Sequence, residues 1–331
     1  MVDKSDYNTT LSQQFSPCGN FLLAGNMDGE IAVFNLQSIL NSSSSSSEDN
    51  KSKPVYYFNV PQSLQVCSMT GTEQFLIVGT TTEIIGYHWD TITDSKTPKV
   101  AWTIKVPAGL DMIERCDINS MLVDESSEGL GVNLYAGCGD NKVHVFCLED
   151  GRWMREFKGH EDYIHSIYMF ESKLASCGED GSVRFWDHRQ KEHTACVYPS
   201  QHLKLARSHL GKWVGDVSIN EDWMLCGGGP KLSLWNLRSL EPMTTFAAVE
   251  DSGVHIAKFC DDHLMVGGSS PYFYHLNHAG DVYSQIETAS TTIYSVVSQK
   301  TPHKLITLAG SSKHIDVCKN YKYKDQVISF Y

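Results

Sequence analysis

Apolar residues recur along this chain in short runs that close on a small or β-branched residue followed by glycine. The run reads LLAG at 22–25, LIVG at 76–79, LYAG at 134–137 and LASCG at 174–178. It returns as MLCG at 224–227, LMVG at 264–267 and ITLAG at 306–310. Successive glycines (25, 79, 137, 178, 227, 267 and 310) stand 54, 58, 41, 49, 40 and 43 residues apart. In three copies a turn follows, at Asp28-Gly29, Asp140-Asn141 and Asp180-Gly181, and these pairs tolerate the positive φ that a tight hairpin needs. Six residues after each Asp stands a large aromatic: Phe34, Phe146 and Trp186. The fifth copy has Gly229-Pro230 at the turn and still places Trp235 six residues after Gly229.

Between turn and aromatic the side chains alternate, as in Val183-Arg-Phe-Trp186, which is strand periodicity. Upstream lie further strands of the form β-branched, variable, small, apolar: Val66-Cys-Ser-Met, Ile164-His-Ser-Ile, Val214-Gly-Asp-Val and Ile293-Tyr-Ser-Val. No long 3.6-residue period separates them, which argues against βαβ units. A seven-fold repeat of four short strands at this period predicts an all-β, seven-bladed β-propeller as one domain over 1–331. The expected blades are 9–60, 61–106, 107–157, 158–200, 210–247, 252–287 and 292–331. Blade one reads in order from residue 9, and Gln326-Val-Ile-Ser-Phe-Tyr331 reads as an outer strand. Closure is therefore expected by packing of blade seven on blade one, without a strand borrowed from residues 1–8.

Two insertions interrupt the repeat. Residues 41–53, NSSSSSSEDNKSK, are too polar to pack and read as a disordered loop in which Ser45 and Ser46 precede acidic residues. Residues 119–131, with Asp124, Glu125 and Glu128, read as an acidic loop in blade three.

Composition narrows the function classes. With 27 Lys+Arg against 39 Asp+Glu the formal charge is −12, opposite in sign to a protein built to grip phosphates. The ten cysteines are scattered with no C-x-x-C pair, as expected of buried thiols in a reducing compartment. The first residues, MVDKSDYNTT, hold no apolar signal core, and no run approaches a membrane span, which places the chain on the cytosolic or nuclear side. The Asn8-Thr-Thr and Asn41-Ser-Ser sequons are then chance matches. Gly227-Gly-Gly-Pro lacks the Lys-Ser/Thr of a phosphate loop. The histidines at 188, 193, 202 and 209 near Cys196 fit no compact zinc spacing. No metal, cofactor, membrane or small-molecule substrate is expected.

One stretch carries residues with a catalytic look. Blade four, GHEDYIHSIYMFESKLASCGEDGSVRFWD at 159–187, holds His160, Ser176 and Asp180, the side chains of a hydrolytic triad. The same stretch contains Gly159-His160 and Trp186-Asp187, and through them the chain resembles the WD40-repeat family. That resemblance implies a structural tetrad of His160, Ser176, Asp180 and Trp186. In it, His160 bridges the turn Asp180 and Ser176, which bonds the Trp186 indole. A serine so partnered has no open pocket and no oxyanion hole, so no enzyme is expected.

Longer strings narrow the resemblance. Phe15-Ser-Pro-Cys-Gly-Asn-Phe-Leu-Leu-Ala-Gly25, the blade-four stretch, and Gly211-Lys-Trp-Val-Gly215 with Asp222-Trp-Met-Leu-Cys-Gly-Gly-Gly-Pro230 are similar to the WD40 subunit family of the THO complex. The likeness is strongest over blades one, four and five. It implies a scaffold in a THO/TREX assembly that serves mRNA processing and nuclear export. It also implies docking onto the coiled-coil subunits 5 and 7, and RNA contact through the complex. No Lys/Arg-rich import run appears, so a nuclear location would depend on partners.

Two surfaces are candidates for contact. Tyr163, His165 and Glu179 in blade four, with Trp213 in blade five, should cluster where inner strands begin, either as partner contacts or as packing between blades. The segment 188–212 carries Arg189, Lys191, Lys204, Arg207 and Lys212 against one Glu, a local +4 suited to RNA phosphates or an acidic partner, or simply a solvated outer strand and loop. Protein docking and direct RNA contact therefore both remain open at this point.

Overall fold

A computed structural model of the chain describes residues 7–41, 52–107, 115–125, 131–187, 189–190 and 192–331. These form seven four-stranded antiparallel sheets, each built from four consecutive strands, and the fold is a seven-bladed β-propeller. The sheets occupy residues 10–59, 68–105, 118–158, 164–197, 214–245, 254–287 and 293–329. Within each blade the second strand is buried almost end to end, as in Lys173–Gly178 and Met224 to Gly228. Outer strands alternate instead, as in Tyr56–Asn59 and Glu241–Thr245. A middle strand covered on both faces needs a continuous apolar run, whereas an outer strand needs only one apolar face. The recurrent runs of the sequence are these middle strands. The aromatics six residues past the turn, Phe34, Phe146, Trp186 and Trp235, are all buried on third strands. Gly29 and Gly181 take φ of +80° and +81° at their turns, and Asn141 takes 68°.

The chain divides into two compact units, Met1–Lys105 with Ile286–Tyr331, and Val106–Gln285. In the first, blade seven packs directly on blade one. Phe15, Leu22 and Phe34 share one core with Leu305, Ile315, Val317 and Phe330. Polar clasps run beside that core: Gln13 Nε2 donates to the Ser295 carbonyl at 3.1 Å and Gln299 Nε2 to that of Gly19 at 3.0 Å. Tyr57 donates its hydroxyl to the Phe330 carbonyl, and Tyr331 donates to Glu30. The blade-seven sheet takes all four strands from 293–329, and residues 7 and 8 form no strand. Residues 1–6 lie outside the described residues. Asn8 of the first sequon is buried and accepts from Asn26 at 2.9 Å.

In the second unit, three cores fill successive blade interfaces. Tyr135, Val143 and Phe157 meet Ile164 and Ile167; Ala175 and Phe185 meet Val217 and Met224; Leu225 and Leu234 meet Val254 and Leu264. One expectation is corrected here. Ile118–Asp124 is not a loop but the inner strand of blade three, paired with Asn133–Cys138. Ile118 is fully buried and Leu122 packs into the core against blade four. Only the tail of the acidic stretch follows the strand, and Glu128 lies outside the described residues, as do Ser45, Ser46 and most of the serine-rich loop. Among the described residues no helix is long and apolar enough to cross a membrane.

Candidate functional site

Blade four brings His160, Ser176, Asp180 and Trp186 together. Ser176 sits mid-strand on Lys173–Gly178, Trp186 on the paired strand Val183–Asp187, and His160 ahead of the inner strand Ile164–Phe170. Asp180 Oδ2 lies 2.9 Å from His160 Nδ1, and His160 Nε2 lies 2.7 Å from Ser176 Oγ. The Trp186 indole N–H donates to Ser176 Oγ at 2.8 Å. The bonding pattern assigns the Nδ1–H tautomer, with Nε2 accepting from Ser176. Burial alone would push the Asp180 carboxyl up. The His160 hydrogen bond, with those from the Ser182 and Glu161 backbone N–H groups, outweighs it and holds the carboxyl well below the usual range. These links copy a hydrolytic triad, yet Ser176 is fully buried and its oxygen already receives the indole proton. The cluster ties turn, middle strand and third strand into one sheet.

Two neighbouring blades solve the same problem with other residues. In blade five Cys226 stands where Ser176 stands in blade four, and Trp235 donates instead to Ser233 at 2.8 Å. In blade three Trp153 donates to His144 Nδ1 at 3.2 Å and His144 Nε2 meets Asp140 Oδ2 at 2.9 Å.

The second cluster lies where the inner strands of blades four, five and six begin. His165 Nε2 bonds Glu179 Oε2 at 2.9 Å. Its ring meets Trp213 edge-on at 6.3 Å, and Trp213 stacks on His255 at 5.1 Å and 21°. His255 Nε2 bonds Ser269 Oγ at 3.0 Å. The Trp213 N–H is used internally, donating to the Leu210 carbonyl at 2.8 Å. Gly215 makes room for the indole, because a Cβ there would lie 2.8 Å from Trp213 Cζ3. Trp213 is therefore half-buried between blades, while Tyr163 is 55% exposed at the head of its strand. Burial, with a smaller push from His165, lowers His255 to about 4, so its ring is neutral at physiological pH.

Sequence inspection singled out Tyr163, His165, Glu179 and Trp213 but missed His255 and Ser269. A signal was available: His165, Gly215 and His255 each follow the first β-branched residue of an inner strand. Aligning blades at that residue puts two imidazoles on either side of a glycine, and the indole fills the gap.

The basic segment is less of a surface than its charge count implies. Arg207 corrects the expectation: it is buried, 6% exposed, and its guanidinium is spent on backbone carbonyls. It donates to Gly229 at 2.7 Å, Gly228 at 3.0 Å, Pro230 at 3.1 Å and also Glu250. Arg189 is exposed but paired with Asp187 at 2.7 Å. Lys204 and Lys212 are exposed, and Lys191 lies outside the described residues.

Comparison with known proteins gives a consistent picture. The family described as WD domain, G-beta repeat matches residues 151–187. THO complex subunit 6 of Drosophila melanogaster is 35% identical over 99% of this chain and 91% of its own length. The Danio rerio THO complex subunit 6 homolog is 37% identical over 97% of each chain. Homo sapiens THO complex subunit 6 is 34% identical over 97% of this chain and 93% of its own length.

Proposed function

This chain belongs to the THO complex subunit 6 family of WD40 proteins, and from that membership we propose that it is a non-catalytic docking subunit of a THO complex. Its partners in this reading are other THO subunits, foremost the coiled-coil subunits 5 and 7. Through them it serves mRNA processing and export in a TREX-type assembly in the nucleus, reaching that compartment with its partners.

The observation that carries the reading is the linked cluster Glu179, His165, Trp213, His255 and Ser269 with Tyr163 exposed beside it. A prealigned polar and aromatic surface loses little entropy on binding, and an exposed tyrosine beside the hydrogen-bonded His165–Glu179 pair has the character of a hot spot. Direct RNA contact through 188–212 gains no comparable support, since Arg207 is buried and Arg189 already paired.

The test is co-purification with the coiled-coil THO subunits. Tyr163→Ala combined with Glu179→Lys leaves the buried side of the cluster intact and should weaken recovery by about tenfold or more. Trp213→Ala should do the same through loss of His165 and His255 positioning, with folding checked by circular dichroism. Recovery of all partners at wild-type level from both variants overturns the assignment of this surface. Salt-sensitive RNA binding by the chain alone, abolished by Lys204→Glu and Lys212→Glu, would instead favour direct contact.

A further inference from the structure

Blade three departs from blades four to seven at a position where each of those keeps glycine. The last residue of the second strand, opposite the first residue of the inner strand, is Gly178, Gly228, Gly268 and Gly310 in blades four to seven. At each, a Cβ would fall within about 2.2 Å of the carbonyl oxygen of the residue just before the inner strand, 2.1 Å at Gly178 and 1.8 Å at Gly310. In blade three the equivalent residue, opposite Ile118, is Cys138. The Gly139 N–H donates to the Asp117 carbonyl at 2.9 Å, which holds the residue after Cys138 against the residue after Cys116. Asp140 follows in the turn. One ligand atom from each of Cys116, Cys138 and Asp140 lies within 4.8 Å of both others, the single group of this kind among the described residues.

We propose that Cys116, Cys138 and Asp140 form a zinc-binding site at this end of blade three, with the fourth coordination position left to water. Two sulfurs with one carboxylate suit zinc, whereas calcium and magnesium take oxygen ligands. Zinc–sulfur bonds near 2.3 Å and zinc–oxygen bonds near 2.0–2.2 Å set donors about 3.5–4 Å apart, a spacing within the compass of this group. The carboxylate is already oriented for the task. Asp140 Oδ2 meets His144 at 2.9 Å, which is fixed in turn by Trp153, and Lys142 approaches it at 3.7 Å. Its other oxygen, Oδ1, is buried and accepts no hydrogen bond of ordinary geometry, although the Lys142 backbone N–H helps to stabilise the carboxylate. A buried carboxylate oxygen without such a bond is costly, and a cation held beside two thiolates supplies what it lacks. The Trp153–His144–Asp140 chain is the outer support that holds a ligand in place.

The experiment uses the full chain, purified under reductant and stripped with chelator. Cobalt(II) should give the near-ultraviolet absorption of thiolate–cobalt charge transfer, and zinc should compete it away at one ion per chain. Cys116 is only half-buried, so Cys116→Ser should fold, lose much of that absorption and bind zinc at least about tenfold more weakly. Cys18→Ser, remote in sequence and exposed, should match wild type. Trp153→Phe keeps all three ligands but frees His144, and a smaller loss of zinc affinity is expected. Absence of the charge-transfer band in the wild-type chain overturns the site. So does unchanged zinc affinity in Cys116→Ser, or a Cys116–Cys138 disulfide in the reduced preparation.

Discussion

Ser176 shows how the same three side chains can spell either chemistry or cohesion, depending on what covers the oxygen. Its hydroxyl receives the Trp186 proton and gives its own to His160, with no accessible surface left over. Ser176→Ala should therefore cost stability, about 1–3 kcal/mol, since it leaves two buried polar groups without their partner. Equilibrium urea denaturation measures it, and a loss below a few tenths would remove the cohesive role. His255 supplies a pH dependence whose sign follows from its neutral state. Its pKa falls from 6.5 to about 4, so between those values the unfolded chain binds a proton that the folded chain refuses. Stability contributed by this residue is present above pH 6.5 and declines on acidification toward pH 4. The expected loss between pH 7 and pH 5 is up to about 2 kcal/mol. His275, lowered to about 4 chiefly by burial, acts in the same direction. Unfolding curves at both pH values for wild type and His255→Gln check this, and the variant should show the shallower dependence. Parallel dependences would rule it out.

At the scale of strands and turns, legibility followed locality. The Gly-ended runs and the aromatic six residues past each turn are spaced by the blade itself, so blade architecture could be read from one dimension. The tetrad was legible for the same reason, because His160 to Trp186 falls within one repeat. What failed depended on contacts between repeats or on burial. Residues 119–131 read as a loop because Asp124, Glu125 and Glu128 outweigh the Met121-Leu-Val run before them, whereas Ile118–Asp124 is a strand. The stacking of Trp213 on His255 joins residues of different blades, which no single repeat specifies. Arg207 counted as one more surface charge because a charge tally is blind to burial. Its place in the fold gives a prediction: the guanidinium braces the Gly228-Gly-Pro230 turn against the Glu250 carbonyl, where a single ammonium cannot span all four acceptors. Arg207→Lys should lower stability by about 2–3 kcal/mol, read by chemical denaturation, whereas Lys204→Glu on the exposed flank should stay within about 0.5 kcal/mol. Equal effects would mean that Arg207 carries no such brace.

For the molecule as a whole, the decisive junction is the one between the first blade and the last. Among the described residues no strand is exchanged there, and side chains carry the contact between the two sheets. Phe330 is the centre of that contact: it is fully buried among Phe34, Leu36 and Ile39 of blade one and Ile315 and Ile328 of blade seven. Just beyond it, Tyr331 reaches Asn26 and Glu30, while Tyr57 of blade one's outer strand stacks on Tyr331 and meets Phe330 at a tilt. Phe330→Ala should cost about 3–4 kcal/mol, since it empties a phenyl-sized volume that β-sheets on both sides cannot easily close. Tyr331→Phe, which removes only the hydroxyl, should cost about 1 kcal/mol. The more telling consequence is where the loss is felt. If closure rests on packing, Phe330→Ala must loosen residues 10–59 and 293–329 together, although they stand at opposite ends of the sequence. Native-state hydrogen exchange resolves this, because opening of a junction releases both of its faces in one step. Faster exchange in both blades, with the sheets of the Val106–Gln285 unit less affected, is the expected result. Faster exchange confined to the outer strand Gln326–Ser329 would show that Phe330 secures only its own strand, and that closure is held by something else.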